Sequence, residues 1–135
     1  MLDIIQQAWH WIGLEPAEVV TINQFGNLIV RATDGAFWRI CPEHWSCEKI
    51  AGNANEFAML ASTDDFRIDW EMSRLVEIAQ QNLGPLADGN CYCLKMPGVI
   101  GGKYDAANLG TISLEESISF AGYMALQIKD VNRFA

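Results

Sequence analysis

A chain of 135 residues fits one ordinary domain and can bury about two thirds of the surface its unfolded form exposes, so it needs neither a metal nor a disulfide to fold. Half of the residues are apolar, with five Trp, six Phe and three Tyr, which excludes a disordered chain. Seventeen acidic residues against nine basic ones leave a formal charge of -8, which speaks against nucleic acid or an anionic membrane surface as partner, since either needs a basic patch.

In chain order, residues 2–12 read as a short helix, with Leu2, Ile5, Ala8, Trp9 and Ile12 at helical spacing and Gly13 as its stop. Pro16 opens a region of period two. Glu18 to Ile22, Leu28 to Ala32, Ala36 to Ile40 and Trp45 to Ile50 read as strands of an antiparallel meander. Asp34-Gly35 is its clearest hairpin signal, because both residues tolerate the positive φ of a tight turn. Asn53 with Glu56 reads as a helix cap, the helix ending near Ser62. A longer helix is expected over 64–82, with Ile68, Met72, Leu75, Val76 and Ala79 as its apolar stripe. Cys91 to Lys95 and Asn108 to Ile112 read as two further strands around an irregular glycine-rich run. Ser113-Leu114-Glu115-Glu116 is a capping box, opening a helix to about Lys129 that buries Leu114, Ile118, Ala121, Ala125 and Ile128. The pattern predicts one α+β domain over 1–135, an antiparallel sheet of five to six strands packed by N-terminal, middle and C-terminal helices.

The acids are spread along the chain, seven with three bases in residues 1–63 and ten with six in residues 64–135, so the charge belongs to the folded surface. Solubility explains it, and steering toward a basic partner is the functional alternative. The N-terminus has no basic run before its apolar residues, and no stretch approaches the ~20 apolar residues of a membrane helix. The expected location is therefore the cytoplasm, where reduced thiols are the default.

Candidate chemistry centres on Cys41-Pro42-Glu43-His44-Trp45-Ser46-Cys47, which holds two soft ligands and an imidazole in seven residues. Cys91 and Cys93 would nominally complete a zinc set of Cys41, His44, Cys47, Cys91 and Cys93, but the spacing is not that of a zinc knuckle, and buried or turn cysteines are the competing reading. His10 and His44 lack a recognisable nucleophile or orienting acid. Asp65 and Asp69 share a helix face, yet Arg67 and Arg74 nearby make a solvated, salt-bridged surface the plainer account. No phosphate-cradling glycine motif follows a strand, so no cofactor and no catalytic residue is assigned.

The stretch from Asp88 to Tyr104 resembles the signature of the C-terminal domain family of type VI secretion immunity proteins, long catalogued as a domain of unknown function. Gly89, Cys91, Tyr92, Pro97, Ile100, Gly101, Gly102, Tyr104 and Asn108 match it, while Cys93 replaces a usual glycine and Leu94 a usual aromatic. A looser likeness extends over about residues 20–128. The resemblance implies a non-enzymatic inhibitor that binds and neutralises a cognate bacterial toxin, such as a nuclease with a basic active face. A small enzyme or zinc protein, and a regulatory module of the same fold, are the alternatives. Tyr92, Tyr104 and Trp45 would anchor a partner if exposed and serve the core otherwise, with Asp65 and Asp69 as acidic candidates. Gly89, Cys91, Tyr92, Pro97, Gly101 and Gly102 form the structural motif.

Overall fold

The computed structural model describes residues 1–132 of a single α+β domain with two antiparallel sheets. The first is a meander of β1 (Pro16–Ile22), β2 (Leu28–Ala32), β3 (Phe37–Cys41) and β4 (Ser46–Ala51), each strand paired with the next in sequence. Asp34-Gly35 makes the expected turn: Gly35 has φ 88°, and the Asp34 carboxylate accepts from the Ala36 amide at 3.0 Å. The second sheet is the ladder of β5 (Asn90–Leu94) and β6 (Leu109–Ser113). It is tied to the first where the Tyr92 amide donates to the Gln24 carbonyl in the β1–β2 loop, at 2.8 Å.

Alternation along β2 explains why helices cover both faces of the meander. Leu28, Val30 and Ala32 point into a core shared with α1 (Leu2–Trp9) and α5 (Leu114–Asn132), through Ile5, Trp9, Leu114, Ile118 and Ala121. Ile29, between them, points the other way into a second cluster with Phe37 and Ala51. That cluster is sealed by α2 (Ala54–Ala61) and α3 (Asp64–Glu71), with Phe57 stacked on Phe37 at 4.4 Å. A third cluster joins α4 (Ser73–Leu83) to the second sheet through Val76, Ala79, Tyr92, Leu94 and Leu109. Burying each large side chain here is worth about 1.5–3 kcal/mol, which makes the three clusters the principal source of stability.

The N-cap half of each capping signal forms, while the Glu56 carboxylate reaches back to the Gly52 amide instead of to Asn53. The Asn53 side chain accepts from the Glu56 amide at 2.9 Å, and the Ser113 hydroxyl accepts from the Glu116 amide at 3.1 Å. Two expectations change. The helix anticipated over 64–82 is two helices, broken at Met72, which takes a left-handed conformation with φ 48°. The break has a cause in packing, since α3 lies on the first sheet and α4 on the second, and the Asn23 amide fixes the corner by donating to the Trp70 carbonyl at 2.9 Å. Ile68 consequently leaves the expected stripe and is 63% exposed. The Trp45 strand begins one residue later, because Trp45 is left-handed (φ 49°) after the short 3-10 turn Pro42–His44. Among the described residues, no helix is long and apolar enough to cross a membrane.

Candidate functional site

Three chain segments converge beside the edge of the first sheet: the Pro42–His44 turn, the α3–α4 corner, and the loop between β5 and β6. They enclose an open groove of about 620 Å³, lined among others by Arg39, Cys41, Glu43, His44, Asp69 and Tyr104.

Its floor is a polar network around Asn27, which is fully buried. The Asn27 amide donates to both oxygens of Glu43, at 3.2 and 2.9 Å. Its carbonyl oxygen accepts from Nε and Nη2 of Arg39, at 3.2 and 3.0 Å. Arg39 also pairs with Asp69 through Nη1 and lies over the Trp70 ring, 5.3 Å from its centre. Glu43 is only 7% exposed, an unusual place for a carboxylate. Among the described residues, no Arg, Lys or His nitrogen comes within 4 Å of it.

The far wall is Tyr104, whose hydroxyl sits 2.7 Å from His44 Nε2 and so joins the β5–β6 loop to the β3–β4 turn. The loop itself is pinned from within. The Asn108 side chain accepts from the Met96 amide at 2.8 Å and donates to the carbonyls of Met96 (2.9 Å) and Lys103 (2.8 Å). Gly102 lies so close to the Met96 and Pro97 carbonyls that a Cβ would overlap them, while Gly101 supplies a left-handed φ of 98°. The Pro97–Asn108 part of the signature thus fixes the shape of the loop that carries Tyr104.

Burial, and then the adjacent charge and hydrogen bond of Glu43, push the Cys41 thiol well above its ordinary value. Burial also raises the Tyr104 hydroxyl, helped by the negative charges of Glu43 and Asp69. Cys41 is therefore a protonated thiol at neutral pH, the opposite of an activated nucleophile. Cys47 and Cys91 are buried in the first core, raised by desolvation to about 12 and about 11, and Cys93 is raised in the same direction by burial. The five residues of the nominal zinc set are thus divided, Cys41 and His44 in the groove, Cys47 and Cys91 in the core, and Cys93 on the neighbouring apolar channel. Among the described residues, no three His, Cys, Asp or Glu side chains are placed to hold a metal ion, and all four cysteines are free.

Of the anchor candidates, only Tyr104 reaches the surface, at 41% exposure. Tyr92 is fully buried, packed on Phe25 and donating its hydroxyl to the Gly84 carbonyl at 2.6 Å. Trp45 is buried too, with Phe120 edge-on to it at 6.3 Å. Asp69 enters the groove, while Asp65 lies exposed in the first turn of α3. Arg67 pairs with Asp64 and Glu71 instead of either candidate. Sequence reasoning passed over Asn27, Arg39 and Glu43. The only signal for them was polar residues beside apolar strand positions, which is common to most strand ends.

Beside Glu43 a second, apolar channel of about 380 Å³ runs between the second sheet and α5, with Trp45, Ile100, Ile112, Phe120 and Met124 in its walls. Glu43 borders both cavities.

Residues 51–125, more than half of the chain, match the family model described as T6SS immunity protein Tdi1, C-terminal. No curated protein matches the chain. Among solved structures, the fold is similar to the crystal structure of Atu4351 from Agrobacterium tumefaciens, with a TM-score of 0.57 and 15% sequence identity. That similarity covers 89% of this chain and 61% of the other. The family match contains Asp69, Tyr104 and the whole β5–β6 loop, while Arg39 on β3 and Glu43 in the Pro42–His44 turn precede it.

Proposed function

As the chain belongs to the C-terminal family of the type VI secretion immunity protein Tdi1, we propose that it acts stoichiometrically, binding a cognate secreted toxin and neutralising it. Family membership carries this reading. The groove supports it, because its residues are arranged for recognition: a buried carboxylate, an aromatic rim and a neighbouring apolar channel, with the one thiol in it held protonated. We place the action in the cytoplasm, where an incoming toxin would meet its target.

The charge of -8 supports a finer reading, in which the toxin is a nuclease with a basic active face. An enzyme that binds a polyanion needs positive charge at its active surface, and an acidic protein is drawn to that surface and covers it. The zinc or enzymatic alternative finds no assembled donor set among the described residues.

Co-expression with a candidate toxin, the C-terminal domain of any secreted effector found encoded beside its gene, tests the proposal. Growth should be restored, and the two proteins should co-elute in equal amounts. A toxic domain that still kills, with no complex formed, would refute it.

A further inference from the structure

We propose that Glu43 is the receptor for a basic side chain, arginine or lysine, of the toxin, and that the apolar channel beside it takes the apolar residues flanking that cation; this rests on the immunity reading above. The argument starts from the burial of Glu43. A carboxylate removed from water carries a desolvation cost that neutral hydrogen bonds offset only in part. Here the carboxylate oxygens accept from the Asn27 amide, a neutral group, and no Arg, Lys or His nitrogen among the described residues lies within 4 Å. Arg39, the basic residue of the groove, is turned away, spending its donors on the Asn27 carbonyl oxygen and Asp69. Three acids, Glu43, Glu48 and Asp69, line the groove against that single arginine. The groove therefore complements a cation and repels a phosphate or carboxylate ligand.

A protein partner fits better than a free small cation because of what lies next to the carboxylate. Glu43 also borders the apolar channel, whose rim residues Ile100 and Phe120 are 56% and 52% exposed. Tyr104 stands on the groove's other wall, 2.7 Å from His44. A charged point inside a ring of exposed apolar and aromatic residues is the composition of a protein-binding hot spot, where the surrounding contacts exclude water from the central pair.

The site can be tested by titrating the isotope-labelled protein with acetyl-arginine methylamide and, as an uncharged comparison, acetyl-norleucine methylamide, followed by NMR. The arginine probe should shift the amides of residues 41–46 and Tyr104 saturably, and the norleucine probe only those along the channel. Glu43→Gln keeps an oxygen to accept from Asn27 and should weaken the arginine probe about tenfold or more. Phe120→Ala, which removes one wall of the channel, should weaken the norleucine probe, and an unchanged amide spectrum away from the channel and Trp45 checks that the fold is kept. An arginine probe that does not saturate, or that binds Glu43→Gln as tightly as wild type, overturns the site. Protection of growth by the wild-type chain is scored alongside. Its failure sinks the immunity reading, whereas intact protection with an unresponsive groove sinks this inference alone.

Discussion

Arg39 donates twice, from Nε and Nη2, to a single acceptor, the side-chain oxygen of Asn27, and is thereby the main support of a residue with no access to water. Its ion pair with Asp69 is a different matter, since the Asp69 side chain is 68% exposed. Exposed pairs contribute at most about 1 kcal/mol, whereas a buried acceptor left without its charged donor costs about 2–3 kcal/mol. Arg39→Met should therefore lower unfolding stability by about 2–3 kcal/mol and Asp69→Asn by less than about 1 kcal/mol. Urea denaturation measures both, and equal losses would show that the ion pair is the dominant interaction.

The two glycines of the signature are adjacent but do different work. At Gly101 a Cβ would meet open space, so Gly101→Ala costs only the left-handed backbone, about 1–2 kcal/mol. At Gly102 the Cβ would overlap the Met96 and Pro97 carbonyls, and the loop has to move. Gly102→Ala should release the Asn108 hydrogen bonds to Met96 and Lys103, with hydrogen exchange quickening across 96–105. Exchange in Gly101→Ala should stay close to wild type there. If the two variants exchanged alike, the close approach at Gly102 would not be what holds the loop.

What could be read without coordinates was local. Asp34-Gly35, the Asn53 and Ser113 caps and the alternation of β2 each act within a few residues, so the elements they define came out nearly in place. Helical spacing continues through Met72, and nothing nearby announces the break, which depends on Asn23 reaching Trp70 across 47 positions. The strand count was legible, but the division into two sheets depends on how the β1–β2 loop meets Tyr92. The groove was the least visible feature. Asn27 meets Glu43 across 16 positions, Arg39 meets Asp69 across 30, and Tyr104 meets His44 across 60. Aromatic residues in particular defeat local reading, because Tyr92 and Tyr104 belong to one motif and end in core and surface respectively.

Stability should fall in alkali, for a reason that lies in the core. Cys47 is raised from an ordinary 9.0 to about 12 and Cys91 to about 11, both chiefly by burial. Between those limits the folded chain holds thiol protons that the unfolded chain has released. The contribution is thus complete below pH 9.0 and is lost as pH rises toward the folded values, at up to about 1.4 kcal/mol per unit for each thiol. Denaturation midpoints should be level to about pH 8 and drop beyond it, more shallowly in Cys47→Ala. A thiol reagent at neutral pH should react slowly until the protein is unfolded. An alkaline slope that Cys47→Ala leaves unchanged would assign the loss to other groups.

The same spread of acids that made the charge hard to interpret makes its role measurable. If the field of the whole surface steers the toxin, any pair of exposed acids contributes alike, and the association rate falls with salt as the screening length shrinks from about 10 Å at 0.1 M to about 3 Å at 1 M. Should the groove dominate, neutralising Glu48 and Asp69 on its lining will slow association more than neutralising Asp3 and Glu15, which are exposed outside it. Long-range steering acts mainly on the association rate, while a seated cation lost from Glu43 acts mainly on dissociation. We expect the Glu48→Gln, Asp69→Asn protein to associate several-fold more slowly than the Asp3→Asn, Glu15→Gln protein at low salt, with the difference gone at about 1 M. Surface plasmon resonance against the immobilised toxin domain reads both rates. Equal slowing by the two pairs would assign steering to net charge, and no salt dependence in the wild type would remove steering and the basic toxin face with it.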